Sequence, residues 1–195
     1  MSIEKINPGD STSVIVSRGS GQKESVDLHG YFTVSCKGQN GETKWEDGFN
    51  NLVTTAGKNA LLNTYLGATA VSVGTTTWYM GLIAANGYSA VAAADTLSSH
   101  AGWKESGANN ARAPGYSQTS RRLITFAASS SGAKATSNAV IFSISVDGTV
   151  KGAFIANNAT KAGTTGTLYS AGLFTGGDKV ITNGDTLNIT YTASA

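Results

Sequence analysis

The sequence predicts a mainly β protein: a jelly-roll-like antiparallel β-sandwich with one short helix, preceded by an N-terminal arm and a hairpin. Three observations predict it. Charged residues are 13% of the 195 residues, against a usual share of roughly 25%. Glycine occurs 24 times, well above its average usage of about 7%. Short apolar runs with period-two alternation recur along the chain, separated by turns that carry glycine.

Residues 1–24, "MSIEKINPGDSTSVIVSRGSGQKE", read as an extended N-terminal arm. Its one β-like run is Val14 to Val16, too little to bury a core alone, so the arm is expected to order against a partner. Ile3, Ile6, Val14, Val16 and Arg18 are its candidate partner contacts. Residues 25–195 then form a single sandwich domain, in which 25–50 is a projecting hairpin. There Tyr31, Thr33 and Ser35 alternate with Phe32, Val34 and Cys36, and Asn40-Gly41 is a strong turn signal before the return at Thr43 to Trp45. The hairpin is too small to stand alone and must pack on the arm or the body.

A helix is predicted over 55–66, with Thr55 as N-cap, Gly67 just past the end, and Ala60, Leu61, Leu62, Tyr65 and Leu66 on one side. That apolar side is expected to cap one end of a sheet. "TTTWYMGLIAA" (75–85) reads as a central buried strand, followed by a long polar connection over 86–120. "RRLITFAAS" (121–129) and "GTLYSAGLFTGG" (166–177) are further strands. "SNAVIFSISVDGTVKGAFIAN" carries the pattern of a second hairpin turning at Asp147-Gly148, and the closing segment turns at Asn183-Gly184. The count is about eight strands, with no internal repeat of fixed period.

Composition excludes several functions. A net charge of +2 is too small for a nucleic-acid binder or a polybasic membrane protein. No apolar run reaches the length of a membrane span. The single Cys36 excludes an intrachain disulfide and a multi-cysteine zinc site, and it suits synthesis in a reducing cytoplasm. The first residues lack a basic stretch followed by an apolar one, so no secretory signal is expected. Without a secretory route, the sequons at Asn158 and Asn188 are chance matches.

The stretch "AAADTLSSHAGWKES" (92–106) gathers Asp95, Ser98, Ser99 and His100 within six positions. A Ser-His-Asp triad draws its members from separate parts of a fold, and no Gly-x-Ser-x-Gly elbow occurs. The segment reads instead as an ordered loop: Asp95 caps a short helical turn, and Leu97 and Trp103 anchor it to the body. His29 and His100 sit in unrelated segments, and the turn residues Asp147, Asp178 and Asp185 have structural work to do. "TGGDKVITNGD" offers the residues of a calcium loop but lacks the EF-hand ligand spacing, and no phosphate-binding loop is present. No catalytic residue, cofactor or metal is expected. Lys104, Arg112, Arg121, Arg122 and Lys134 face only Asp95 and Glu105, a local surplus of three positive charges. Arg112 and Arg121 are therefore candidate contacts to an acidic partner surface.

Four stretches carry a resemblance: "FTVSCKGQNGETKWEDGFNNLVTTAGKNALLNTYL", "TTWYMGLI", "AADTLSSHAGWKE" and the run from "SISVDGTVKG" to "TLNITYTA". In this order and spacing they resemble a family of small virion proteins of tailed bacteriophages, over about residues 31–193. Its members look most like head decoration or cement proteins, which coat a capsid as jelly-roll domains. The resemblance implies a homo-oligomer, dimer or trimer, on the phage major capsid protein at the outer capsid surface, made in the host bacterial cytoplasm. It implies no enzyme activity, nucleic-acid partner or membrane partner. The alternative is a tail, baseplate or fibre component with a receptor or glycan ligand, in which Trp103 or Tyr116 stacks on a sugar. The arm at 1–24 lies outside the resemblance.

Overall fold

The computed structural model describes residues 28–66, 77–107 and 115–195. Among them the chain forms strands β1 (His29–Lys37), β2 (Thr43–Val53), β3 (Trp78–Ala84), β4 (Lys104–Glu105), β5 (Gly115–Tyr116), β6 (Arg122–Ile124), β7 (Ala133–Ala135), β8 (Val140–Val146), β9 (Gly148–Ala156), β10 (Leu168–Leu173), β11 (Lys179–Ile181) and β12 (Thr186–Ser194). The helix α1 spans Thr55–Leu66, as the sequence predicts. All strand pairs are antiparallel, in the order β4-β3-β9-β10-β2-β1-β12-β8-β5. Strands β6, β7 and β11 attach beside β3, β12 and β9.

Strand β2 makes this order a sandwich. Its residues Thr43 to Asn50 pair with β1, whereas Asn51 to Val53 pair with β10, so one strand belongs to both walls. One wall is β1, β12 and β8; the other is β10, β9 and β3. Alternation aims every second side chain between them. Phe32, Val34, Phe142, Leu187, Ile189 and Tyr191 come from the first wall and meet Met80, Leu82, Val150, Ala153 and Ile155 from the second. Phe32 stacks on Phe49 at 4.9 Å and lies 4.7 Å from Tyr191.

A second, smaller core lies on the outer side of the β3/β9/β10 wall. Ile83, Phe154, Ala156, Leu168 and Ala171 pack there under Leu97 and Trp103 from the 85–103 connection. Both faces of β3 from Met80 and of β9 from Gly152 are thereby buried, which explains why "MGLIA" and "GAFIA" carry no polar side chain instead of alternating.

Four expectations need correction. The hairpin β1–β2 forms, turning through Gly38 to Glu42, but it does not project. Both strands are interior, because β1 also pairs β12 and β2 also pairs β10, so the hairpin is the body. The second predicted hairpin does not exist: β8 pairs β12 and β5, while β9 pairs β3, β10 and β11. Only Asp147 separates β8 from β9. One residue cannot close a hairpin, which needs two or more, so the chain crosses between walls there. The Asn183-Gly184 turn forms beside this corner, where Asp147 Oδ1 accepts from the Asn183 amide at 2.6 Å. Third, β3 is not central; β9 flanks one side and only the short strands β4 and β6 flank the other.

Fourth, the helix cap is Thr54, one residue before the expected Thr55. The Thr54 hydroxyl accepts from the Gly57 amide at 3.0 Å, and its carbonyl accepts the first helical bond from Lys58. Nor does the helix seat the expected apolar side: Leu62 and Leu66 are 52% and 80% exposed. It docks through Gly57, where a Cβ would collide with the Tyr169 carbonyl of β10. Gly67, expected just past the helix end, lies outside the described residues.

The turn carboxylates hold the corners where the walls meet. Asp185, buried beside β12, accepts from Lys44 at 2.7 Å and from the Thr182 amide at 2.9 Å. Burial pushes its pKa up, but the Lys44 ammonium and the Thr182 amide outweigh this and hold it below the usual value of 3.8. Asp47 is likewise lowered: burial raises it, and the Gly176 amide, the Lys179 ammonium and the Gly48 amide lower it further. The neighbouring Cys36 thiol is pushed up to about 12 by burial and by Asp185, so it stays protonated and donates to Asp185 at 3.7 Å. A carboxylate whose folded pKa lies below its unfolded one adds stability above the unfolded value and loses it as pH falls through the folded value. Denaturant unfolding should therefore be insensitive to these groups from about pH 7 to 5 and lose stability below about pH 4. Asp185→Asn should flatten that acid limb; an unchanged limb would remove Asp185 from it.

Candidate functional site

The polar stretch 92–106 is consumed by its own fold. Thr96 and Ser99 close a tight turn through the Thr96 amide to the Ser99 carbonyl at 2.9 Å, and the Thr96 hydroxyl accepts from the Ser99 amide at 3.0 Å. Ser98 Oγ lies 3.1 Å from the Thr96 hydroxyl. Asp95 starts no helical turn, contrary to expectation. Its Oδ2 reaches back to accept from the Ala92 amide and forward to accept from the Trp103 indole, both at 2.9 Å. Trp103 is 1% exposed, over Phe154 at 5.1 Å, and Leu97 is buried beside it, as predicted. The His100 ring stacks on Trp103 at 4.1 Å, and its Nδ1 donates to the Trp103 carbonyl at 3.0 Å. The triad residue types thus share a loop without sharing a proton path: the carboxylate serves the indole, the imidazole serves a carbonyl, and Ser98 meets a threonine.

Arg121 overturns its expected role. It was placed at a partner contact, yet it is 2% exposed and forms a two-pronged ion pair with buried Glu105. Nε donates to Oε1 and Nη2 to Oε2, each at 2.9 Å. Two further donors find carbonyls: Nη1 donates to Asn158 at 2.9 Å and Nη2 to Gly163 at 3.3 Å. The guanidinium lies 5.1 Å from the Phe154 ring centre. Glu105 Oε2 also accepts from the Ala162 amide at 2.7 Å, and Ala162 sits in the left-handed region at φ 55°. Three distant segments are thereby clasped around one charge pair. A planar fork with five donors explains why arginine suits this place. The expectation erred because Glu105, sixteen residues upstream, was counted only as a neighbouring charge.

The other predicted contacts, Ile3, Ile6, Val14, Val16, Arg18 and Arg112, lie outside the described residues, as does the arm at 1–24 as a whole. Comparison with protein-family models, curated proteins and solved structures finds no match. Among the described residues, no group of three or more His, Cys, Asp or Glu is gathered in metal-binding proximity, and no helix is long and apolar enough to cross a membrane. Trp103 and Tyr116, named as sugar-stacking aromatics, are both buried, Tyr116 at 3% exposure.

Among the described residues, the outer face of the β1/β12/β8 wall is the sheet face that no other segment covers. The β3/β9/β10 wall is covered by the chain's own connection, but this one presents Tyr31, Thr33, Ser35, Asn188, Thr190, Thr192 and Ile141 outward. Tyr31 is 46% exposed. Thr33 and Thr190, directly opposite each other, hydrogen-bond through their hydroxyls. Sequence alternation placed Tyr31 on this side without marking it, because the signal needed a second fact: Gly48 lies diagonally across β2 and leaves room for the ring.

Proposed function

We propose that this chain is a non-enzymatic structural protein of a tailed-phage virion, a decoration or cement protein that binds the outside of the head and stabilises the shell by bridging capsid subunits. The observation that carries the reading is the division of labour among its polar groups. Asp95, His100, Glu105 and Arg121, which composition offers for chemistry, are engaged in internal packing. One wall meanwhile offers a broad face of hydroxyl and amide side chains. The resemblance over residues 31–193 supports the same role.

In this role the partners are the phage major capsid protein and further copies of this chain, with no cofactor, nucleic acid or membrane. Weak single contacts suffice, since a shell repeats each contact and linked copies gain avidity. The short strands β4 and β5 at the ends of the strand order offer little backbone for unwanted edge pairing, which suits a protein packed at high density. The test is to add the purified chain to shells and, separately, to tails from virions lacking it. Saturable binding to shells supports the reading, with weaker binding on deletion of residues 1–24. Binding to tails alone would assign the chain to the tail.

A further inference from the structure

We propose that the outer face around Tyr31 is a binding site for a neutral oligosaccharide. The inference goes beyond the shell-binding role and does not depend on it. Four observations carry it. First, Tyr31 lies down on the sheet: a methyl group added at Gly48 would overlap its hydroxyl, so the ring reaches diagonally over β2 instead of standing off the surface. Its hydroxyl end sits over Gly48, and 46% of the residue remains exposed. A partly exposed ring held against the sheet offers a stacking platform, and its negative π-face attracts the polarised C–H groups of a sugar ring.

Second, the positions across from Tyr31 in the register are Asn50 and Gly48 on β2 and Thr190 and Thr192 on β12, all uncharged, while His29 and Thr33 flank it on the same face of β1. Hydroxyls and amides both donate and accept, as sugar hydroxyls do. No lysine or arginine stands among these positions to draw an anionic ligand. Third, the hydroxyls are held: Thr33 and Thr190 bond to each other, and the Thr175 hydroxyl donates to the Gly48 carbonyl at 2.9 Å. Groups already fixed cost less ordering on binding. Fourth, Asn50 pairs with Tyr31 and also lines a hollow of about 340 Å³ with Asn51, Leu52, Tyr88 and Val91. The platform thus continues into a recess of mixed apolar and amide character, the surface a saccharide longer than one residue would use.

The experiment screens the full chain against an array of neutral oligosaccharides, then titrates the best binder by calorimetry. Tyr31→Ala should weaken binding about tenfold or more, the loss expected of one stacking aromatic. Tyr31→Trp should retain binding, and Asn50→Ala should weaken it. Val180→Ser, on an exposed position of β11, should leave it unchanged. All three side chains are exposed, and an unaltered unfolding midpoint separates loss of the site from loss of the fold. Absence of binding to any neutral oligosaccharide would overturn the proposal, as would binding that Tyr31→Ala leaves intact. Self-association abolished by Tyr31→Ala, without glycan binding, would instead assign the face to a second copy of the chain.

Discussion

Replacing Arg121 with alanine is expected to cost about 3–5 kcal/mol of folding stability. The side chain spans three segments, and its removal leaves Glu105 buried at 3% exposure with its charge uncompensated. The Asn158 and Gly163 carbonyls lose their donors at the same time. The Ala162 amide alone would remain on the carboxylate, holding a residue in the left-handed region with less to stabilise it. Removing Glu105 as well should cost less than the two single losses added, because the double variant no longer buries a lone charge. It should not return to the parent, since the two carbonyls stay unpaired. Denaturant unfolding of the four proteins reads this directly. A single-variant loss below about 0.5 kcal/mol, the range of an ordinary surface substitution, would mean that Arg121 is no clasp.

Trp103→Ala is expected to cost a further separate amount of about 3–5 kcal/mol, the usual result of emptying a buried aromatic site. Trp103 fills the outer core over Phe154 and is the donor that satisfies Asp95 Oδ2. Trp103→Phe keeps much of the packing and deletes only the indole N–H, so it should cost about 1–3 kcal/mol. His100→Ala should cost less than either substitution at Trp103, because the imidazole stacks on the outer face of a core that remains filled. This ranking distinguishes a packed loop from a catalytic one, in which His100 would be the residue whose loss mattered most. Equal unfolding midpoints for Trp103→Ala and the parent would refute the assignment.

The parts of the fold legible in the sequence are those set by local pattern. The helix bounds followed from a Thr before and a Gly after a run of helix formers, and the β1–β2 hairpin followed from alternation around Asn40-Gly41. Leu97 and Trp103 as anchors followed from large apolar side chains inside a polar loop. What escaped was tertiary. The segment 138–157 has the alternation and Asp-Gly pair of a hairpin, and only the partner choice of β8 and β9 shows it to be a crossing between walls. Arg121 read as a surface cation because its three acceptors come from residues 105, 158 and 163, far apart along the chain. Thr54 was passed over for Thr55 because both suit a cap and the choice is set by β2, whose end fixes where the helix begins. Tyr31 stood in plain alternation, but its lying flat depends on a glycine in the neighbouring strand.

The central claim is that this chain works through its surface on a phage head, with its charged and catalytic-looking residues spent on the fold. Electron cryo-microscopy of shells reconstituted with the purified chain tests it most directly. The account predicts added density at regular positions on the outer capsid lattice, fitted by the two-walled body. Shells that remain bare while the chain appears on tails, or on neither assembly, would contradict it.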